Sequence, residues 1–222
     1  MRASLRPPTL FVTAICLVAF LTLLSLAKDK ALPLPRAFHA KTYPANDVHE
    51  DEKVAIAADP YDTADKAATV FNVKYRDEDL LPIHLIVSND GNKTVSLAGM
   101  KIVFVTKRGT KIDPDRPEDI YRRIGHQRQG QGPRVSPLPI PRKRSPSVSQ
   151  QAQEEVQQAQ FLARAVEPHS TQSGFLFFDV GGLDNPLAGA KLEISGISDA
   201  DGKELFFFEI PMEKYLSYQP LK

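Results

Sequence analysis

The sequence predicts a mainly β protein built as an antiparallel sandwich of immunoglobulin-like type. Seven short runs rich in β-branched and aromatic residues recur between Val54 and Ile210, which is the usual pattern of strands. Asn, Asp, Gly and Pro separate these runs and supply the turns. The 222 residues are 42% hydrophobic, which allows one core and one domain with appendages. Short strands at close spacing with turns between them favour a sandwich.

Residues 1–27 are predicted to be an export signal. Arg2 and Arg6 precede an apolar run from Leu10 to Leu26, and small residues suited to cleavage end at Ala27. The alternative is an uncleaved anchor in which residues 10–26 enter the inner membrane, although a span needs about 20 residues. We therefore expect an exported protein, periplasmic or extracellular, with a signal that is cleaved or retained as an anchor.

The cysteine content and the net charge exclude several classes of function. Cys16 is the only cysteine and lies inside the apolar run, so a cleaved chain would have none. A disulfide framework, a thiolate nucleophile and a cysteine zinc site are then excluded. The formal net charge of +1 gives no overall field that would recruit nucleic acid.

Residues 28–53 are predicted to be a linker, because prolines and mixed charges follow no period. His39 and His49 lie in this segment and are interpreted as solvated. The domain is expected from residue 54 to residue 222. It begins with a strand over Val54–Ala58.

Asp59-Pro60 is predicted to end that first strand. Asp62 is then expected to cap one or two helical turns over residues 66–71. These turns would bury Val70 and Phe71.

A β-hairpin is predicted over Leu80–Leu97, with its turn at Asn89-Asp90-Gly91-Asn92. Asp-Gly and Gly-Asn tolerate the positive φ that tight hairpin turns need. His84 lies among aliphatic residues of the first strand and is expected to be half-buried or at a sheet edge, without a catalytic role. The next strand is expected over Lys101–Thr106.

A turn containing three aspartates is predicted at residues 113–119, running into a short helix with Pro117 in its first turn. The spacing lacks the glycine and the closing glutamate of a calcium loop, so these carboxylates are interpreted as capping and turn residues.

Residues 120–153 contain no acidic side chain, and a disordered insertion is predicted over residues 125–146 because proline and charge leave little apolar surface to bury. We interpret the stretch as a solvated insertion. The alternative is attachment to an anionic envelope polymer or lipid headgroup, since basic segments bind anions. The candidate contacts are Arg122, Arg123, Arg128, Arg134, Arg142, Lys143 and Arg144.

The clearest helix is predicted over Ser147–Ala165, with Ser147 and Gln150 as a capping box. Its thin apolar stripe should lie on the sheet or against a sheet edge, with Gln and Glu on the other face. Three strands are expected after it, at Phe175–Val180, Ala190–Ile197 and Glu204–Ile210.

Two stretches resemble a group of exported and lipoprotein-type immunoglobulin-like domains of bacteria. Leu81-Pro82-Ile83 through Ser88-Asn89-Asp90-Gly91 is similar to one of their strands. Glu167-Pro168-His169-Ser170 to Gly174-Phe175-Leu176-Phe177-Phe178 is similar to another. The resemblance covers residues 54–210 apart from the basic insertion. It implies the fold but no catalytic residues, because the group has no agreed activity.

A non-catalytic binding or structural module of the bacterial cell envelope is the function that these observations favour. No catalytic, cofactor-binding or metal-ligating residues are predicted, since neither G-x-S-x-G nor H-E-x-x-H occurs and the histidines lie apart. The expected partner is an envelope protein or an anionic envelope polymer, not nucleic acid. The alternatives are an envelope anchor acting through residues 120–153 and a hydrolase with an unrecognised site.

Overall fold

The computed structural model describes residues 31–126 and 147–216. Contacts divide the chain into a unit of residues 1–31 and a unit of residues 32–222, and all elements given below belong to the second. The predicted export signal lies outside the described residues. Within the described ranges, no helix has the length and apolar character that crossing a bilayer requires.

The second unit is mainly β, and all its strand pairs are antiparallel. One four-stranded sheet has the order β1-β2-β3-β8, a second has the order β10-β9-β5-β6, and β4 pairs with β7. The strands described are β1 (Asn46–His49), β2 (Val54–Pro60), β3 (Leu80–Asn89), β4 (Val95–Ser96), β5 (Lys101–Val105), β6 (Lys111–Ile112), β7 (Ala165–Val166), β8 (Ser170–Asp179), β9 (Lys191–Ser195) and β10 (Phe208–Pro211).

Helices α1 (Ala64–Ala68), α2 (Pro117–His126) and α3 (Val148–Ala159) lie between the strands, with 3-10 turns at Ala40–Thr42, Tyr75–Glu78 and Met212–Tyr215. Thr63, and not Asp62, caps α1. The Ser147 hydroxyl caps α3 as predicted, accepting a hydrogen bond from the Gln150 amide at 3.1 Å. The helix ends before the predicted Ala165 because the chain from Gln160 onward pairs with strands.

The predicted hairpin at residues 80–97 is wrong. Strand β3 already has β2 on one side and β8 on the other, so β4 leaves this sheet and pairs with β7. The Asn89 side chain makes the turn by accepting from the Gly91 amide at 2.9 Å and donating to Lys93 O at 2.8 Å. Asp90 and Gly91 do not adopt the positive φ that the prediction required.

The predicted linker over residues 28–53 is wrong from Ala40 onward. Strand β1 lies in this stretch and pairs with β2 along its whole length. Ala40 and Ala45 are fully buried, and the Ala40 amide donates to the Ser88 hydroxyl at 3.0 Å. The sequence gives little sign of this because the buried groups are methyls and not large apolar side chains.

The main core lies between the two four-stranded sheets, and both sheets contribute to it. Alternate residues of β3, such as Ile83 and Leu85, share one apolar cluster with Phe104 of β5 and with Leu192 and Ile194 of β9. Burial alternates strictly along β9, and it alternates along β5 as far as Phe104, which matches one-sided burial of these strands. The predicted strands at residues 101–106 and 190–197 are therefore confirmed.

The second half of strand β8 is buried on both faces, as predicted for residues 175–180. Phe178 lies in the main core. Phe175 and Phe177 point to the opposite face, into a second cluster with Val156 of α3 and Ile120 of α2. The helices therefore cover the outer face of the first sheet, and α3 lies on the sheet as its apolar stripe predicted.

Candidate functional site

Two exposed phenylalanines stand at the approach to β10. The run Glu204–Ile210 was predicted to be a strand, but only its last three residues belong to β10, which continues to Pro211. Phe206 and Phe207 are 77% and 62% exposed, whereas Phe208 is fully buried. Val48–Glu52, Phe206 and Phe207 line one shallow depression of about 520 Å³, which we call the aromatic edge.

Carboxylates from the first sheet hold the backbone of the aromatic edge in place. Glu52 accepts a hydrogen bond from the Phe206 amide at 3.0 Å. Asp47 accepts one from the Glu209 amide at 2.8 Å. Strands β1 and β10 belong to different sheets and do not pair through their backbones, so these side chains connect the two edges instead. The two phenylalanines are therefore presented on an ordered backbone.

His49 lies where β1 meets β10, and the prediction that it is a solvated residue is wrong. Its ring stacks on Phe208 with a centroid distance of 3.9 Å and an interplanar angle of 15°. Nδ1 lies 2.8 Å from Glu52, and Nε2 lies 3.4 Å from Asp47. His39, the other histidine of the predicted linker, lies 2.7 Å from Asp90.

The depression at the aromatic edge is acidic. Glu50, Asp51 and Glu52 line it, and no lysine or arginine is among its lining residues. Glu50 is 77% exposed at its side chain, although it lies 3.3 Å from Lys41. Apolar rings beside carboxylates suit a surface that is both apolar and basic.

A second, larger concavity of about 700 Å³ lies near α1, and we call it the tyrosine cleft. It is lined by aromatic rings, carboxylates and one ammonium group, namely Phe38, Thr42, Tyr43, Pro44, Asp59, Asp62, Thr63, Asp65, Lys66 and Tyr215. Strand β2 supplies Asp59, and α1 supplies Asp65 and Lys66. The 3-10 turn after β10 supplies Tyr215.

Lys66 is fixed at the wall of the tyrosine cleft. Its ammonium donates to Asp59 Oδ1 at 2.5 Å and to Pro60 O at 2.8 Å. It also lies 4.8 Å from the centroid of the Tyr61 ring and 5.2 Å from that of Tyr215, within the range of cation–π attraction. Burial raises the pKa of Tyr61, so its phenol stays neutral.

His84 is fully buried in the central part of the first sheet, which corrects the prediction of a half-buried or edge position. Its ring lies 4.9 Å from that of Phe175. Burial lowers the pKa of His84 to about 4, against a smaller opposing effect of Asp59. His84 is therefore neutral near pH 7, and it lines neither the aromatic edge nor the tyrosine cleft.

The two described members of the predicted basic contact set are engaged within the molecule. Arg122 lies 2.5 Å from Asp119 of its own helix. Arg123 pairs with Asp179 at the end of β8 and donates to Glu78 O. The Arg123 hydrogen bond lowers the pKa of Asp179. The remaining candidates, Arg128, Arg134, Arg142, Lys143 and Arg144, lie outside the described residues, as does most of the predicted insertion.

Sequence reasoning missed both concave surfaces. A run of three consecutive phenylalanines, Phe206–Phe208, cannot place all three rings on one face of a strand, and this signal could have indicated an exposed ring. The tyrosine cleft draws its residues from segments far apart in the sequence, so no local motif marks it.

The described residues, 31–126 and 147–216, contain no group of three or more His, Cys, Asp or Glu side chains that could hold a metal ion. Comparison of the chain with protein-family models, with curated proteins and with solved structures found no match.

Proposed function

We propose that this protein is an exported, non-catalytic binding module of the bacterial cell envelope that docks a partner protein at its aromatic edge. The exposure of Phe206 and Phe207 on a tethered backbone is the observation that supports this most directly. Aromatic side chains are typical anchors of protein interfaces, and a backbone that is already held by hydrogen bonds has less freedom to lose on binding.

The partner is a protein with a basic surface beside an apolar pocket. Asp51 and Glu50 flank the phenylalanines and would attract lysine or arginine side chains. Electrostatic attachment through residues 120–153 is the weaker alternative, because Arg122 and Arg123 are already paired with Asp119 and Asp179.

The strand order supports an immunoglobulin-like sandwich as the fold of this module. In that fold strands A, B and E form one sheet with D, and strands G, F and C form the other, which C′ can extend. By chain order β2, β3 and β8 correspond to A, B and E, and β10, β9, β5 and β6 to G, F, C and C′. The segment with α2 and α3 occupies the place of strand D.

Photo-crosslinking in cells tests the docking surface. A photoreactive phenylalanine analogue at position 206 of the full chain should give an adduct with one envelope protein. The same analogue at Leu162, which is 67% exposed on a different segment, is the matched control and should not give that adduct. Adding Phe207→Ala and Asp51→Lys should lower the adduct at position 206 several-fold.

Three results would count against the proposal. They are the same adduct from both positions, no adduct from position 206, and an adduct with a cytoplasmic protein. The last of these would contradict export and not merely the surface.

A further inference from the structure

We propose that the tyrosine cleft binds a neutral saccharide. This site is separate from the aromatic edge, and the inference does not depend on the function proposed for that edge. The cleft is concave, and its volume of about 700 Å³ lies in the range of small-molecule sites. Its lining combines aromatic rings, three carboxylates and one fixed ammonium.

The aromatic rings provide flat apolar surface at the cleft. Tyr43 and Tyr215 are half-buried there, and Phe38 is 58% exposed. The Tyr43 hydroxyl accepts a hydrogen bond from the Phe38 amide at 3.2 Å, which ties these two wall residues together. An apolar ligand face that covers Phe38 would remove an exposed ring from water.

The polar groups offer donors and acceptors side by side. The Lys66 ammonium carries three N–H groups, and Asp59 and the Pro60 carbonyl take two of them. The Tyr43 oxygen accepts from Phe38, so its own O–H can donate to a ligand. Asp62 and Asp65 add carboxylate acceptors among the lining residues.

The cleft carries charges of both signs, three carboxylates and one ammonium, so an ionic ligand of either sign meets a like charge. An anion would meet the carboxylates of Asp59, Asp62 and Asp65, and a cation would meet the Lys66 ammonium already fixed beside Tyr61 and Tyr215. A sugar ring carries no charge, has an apolar face for the aromatic rings, and has hydroxyls that both donate and accept. Its hydroxyls can donate to the carboxylates and accept from the Lys66 ammonium, so it meets both kinds of charge without repulsion.

Titration of the full-length protein with neutral tetrasaccharides tests this inference. The probes are chitotetraose and cellotetraose, with spermine as the cationic arm and tetragalacturonate as the anionic arm. The chain has no tryptophan and six tyrosines, so tyrosine emission includes the signal of Tyr43 and Tyr215, and calorimetry gives the affinity. We expect at least one neutral tetrasaccharide to bind, and to bind at least tenfold more tightly than either charged probe.

Variants connect that binding to the cleft. Tyr215→Ala and Lys66→Met should each weaken it about tenfold, and Phe38→Ala provides a variant at an exposed position that leaves the core intact. Tyr121→Ala on α2 is the matched tyrosine control and should leave the affinity unchanged. Monosaccharide titrations distinguish a free sugar from a unit of a polymer, since a polymer site gains affinity with chain length.

The proposal is overturned if neither neutral tetrasaccharide binds, or if spermine or tetragalacturonate binds as tightly. It is also overturned if Phe38→Ala and Lys66→Met both keep the original affinity.

Discussion

At the scale of single residues, Glu155 shows why a buried charge is hard to foresee. Ala152, Glu155, Val156 and Ala159 recur at the spacing of one helix face, and all four are buried. The spacing alone would place Glu155 inside, but glutamate is so rarely buried that the sequence assigned it to the outer face. Its burial depends on partners from a distant segment, which no local pattern reveals.

Replacing Glu155 with glutamine should destabilise the protein. The carboxylate accepts from the Asn72 amide at 2.9 Å, the Asn72 side chain at 3.0 Å, the Val73 amide at 3.3 Å and the Tyr75 hydroxyl at 3.3 Å. Both carboxylate oxygens accept hydrogen bonds, so the NH₂ group of a glutamine would replace one acceptor with a donor. The N–H or O–H groups on that side would lose their partner. The expected loss is about 1–3 kcal/mol in the free energy of unfolding, measured with urea.

The neighbouring Glu154→Gln is the control, because Glu154 is exposed and its side chain accepts a hydrogen bond from Gln150 of the same helix, at 3.3 Å. Equal urea midpoints for the two variants would show that the buried hydrogen bonds add nothing.

At the scale of elements, the end of α3 is fastened to β8 at Gly174. The Phe161 amide donates to Phe175 O at 2.9 Å, and the Asp115 amide donates to Phe177 O at 2.7 Å. These bonds occupy the outer edge of β8. The sequence predicted a helix on the sheet or at an edge from the thin stripe of α3, and the structure has the helix on the sheet, with the segment after it at the edge. It could not predict the contact at Gly174, which depends on two backbones from separate segments.

Gly174→Ala should therefore lower the melting temperature. An added Cβ would lie 2.5 Å from Phe161 Cα and 2.8 Å from Phe161 N, so the two backbones must separate. Such overpacking typically costs about 1–3 kcal/mol. Gly125→Ala on α2 is the control, since among the described residues its Cβ would meet only the Ser149 hydroxyl, at 3.8 Å. Thermal unfolding should leave Gly125→Ala at or slightly above the parent, and a Gly174→Ala variant as stable as the parent would contradict the close contact.

At the scale of the whole molecule, the apolar strands β5, β8 and β9 were predictable from the sequence, and the connections between the strands were not. Burial alternates over residues 191–195, and over residues 101–104, because one face of each strand lies on the core. The position of β4 depends instead on β8, which takes the free side of β3 from a place about ninety residues later in the chain. The turn residues at 89–92 do not indicate whether β4 or β8 pairs with β3.

Stability should fall in mild acid because the fold keeps His84 neutral. Burial lowers the pKa of His84 to about 4, and the unfolded chain has the ordinary value near 6.5. The unfolded state therefore binds the extra proton first, and stability is lost as the pH falls from about 6.5 towards 4. The loss should reach at most about 3 kcal/mol.

Urea unfolding from pH 4 to pH 7 measures this dependence. His84→Phe should flatten the slope, whereas the exposed His169→Gln should keep it. Parallel slopes in the parent and in His84→Phe would assign the acid sensitivity to other groups.

The hydrogen bonds where β1 meets β10 also have a consequence for aggregation, because both strands are sheet edges. Two bare strand borders would invite a neighbouring chain to extend the sheet, and such growth ends in fibres. Here the two edges face each other. The side chains of Asp47 and Glu52 accept hydrogen bonds from the amides of Glu209 and Phe206. These side-chain hydrogen bonds therefore oppose edge-to-edge pairing with another copy of the protein. The protein can expose two phenylalanines at this edge without forming a continuous sheet with its neighbours.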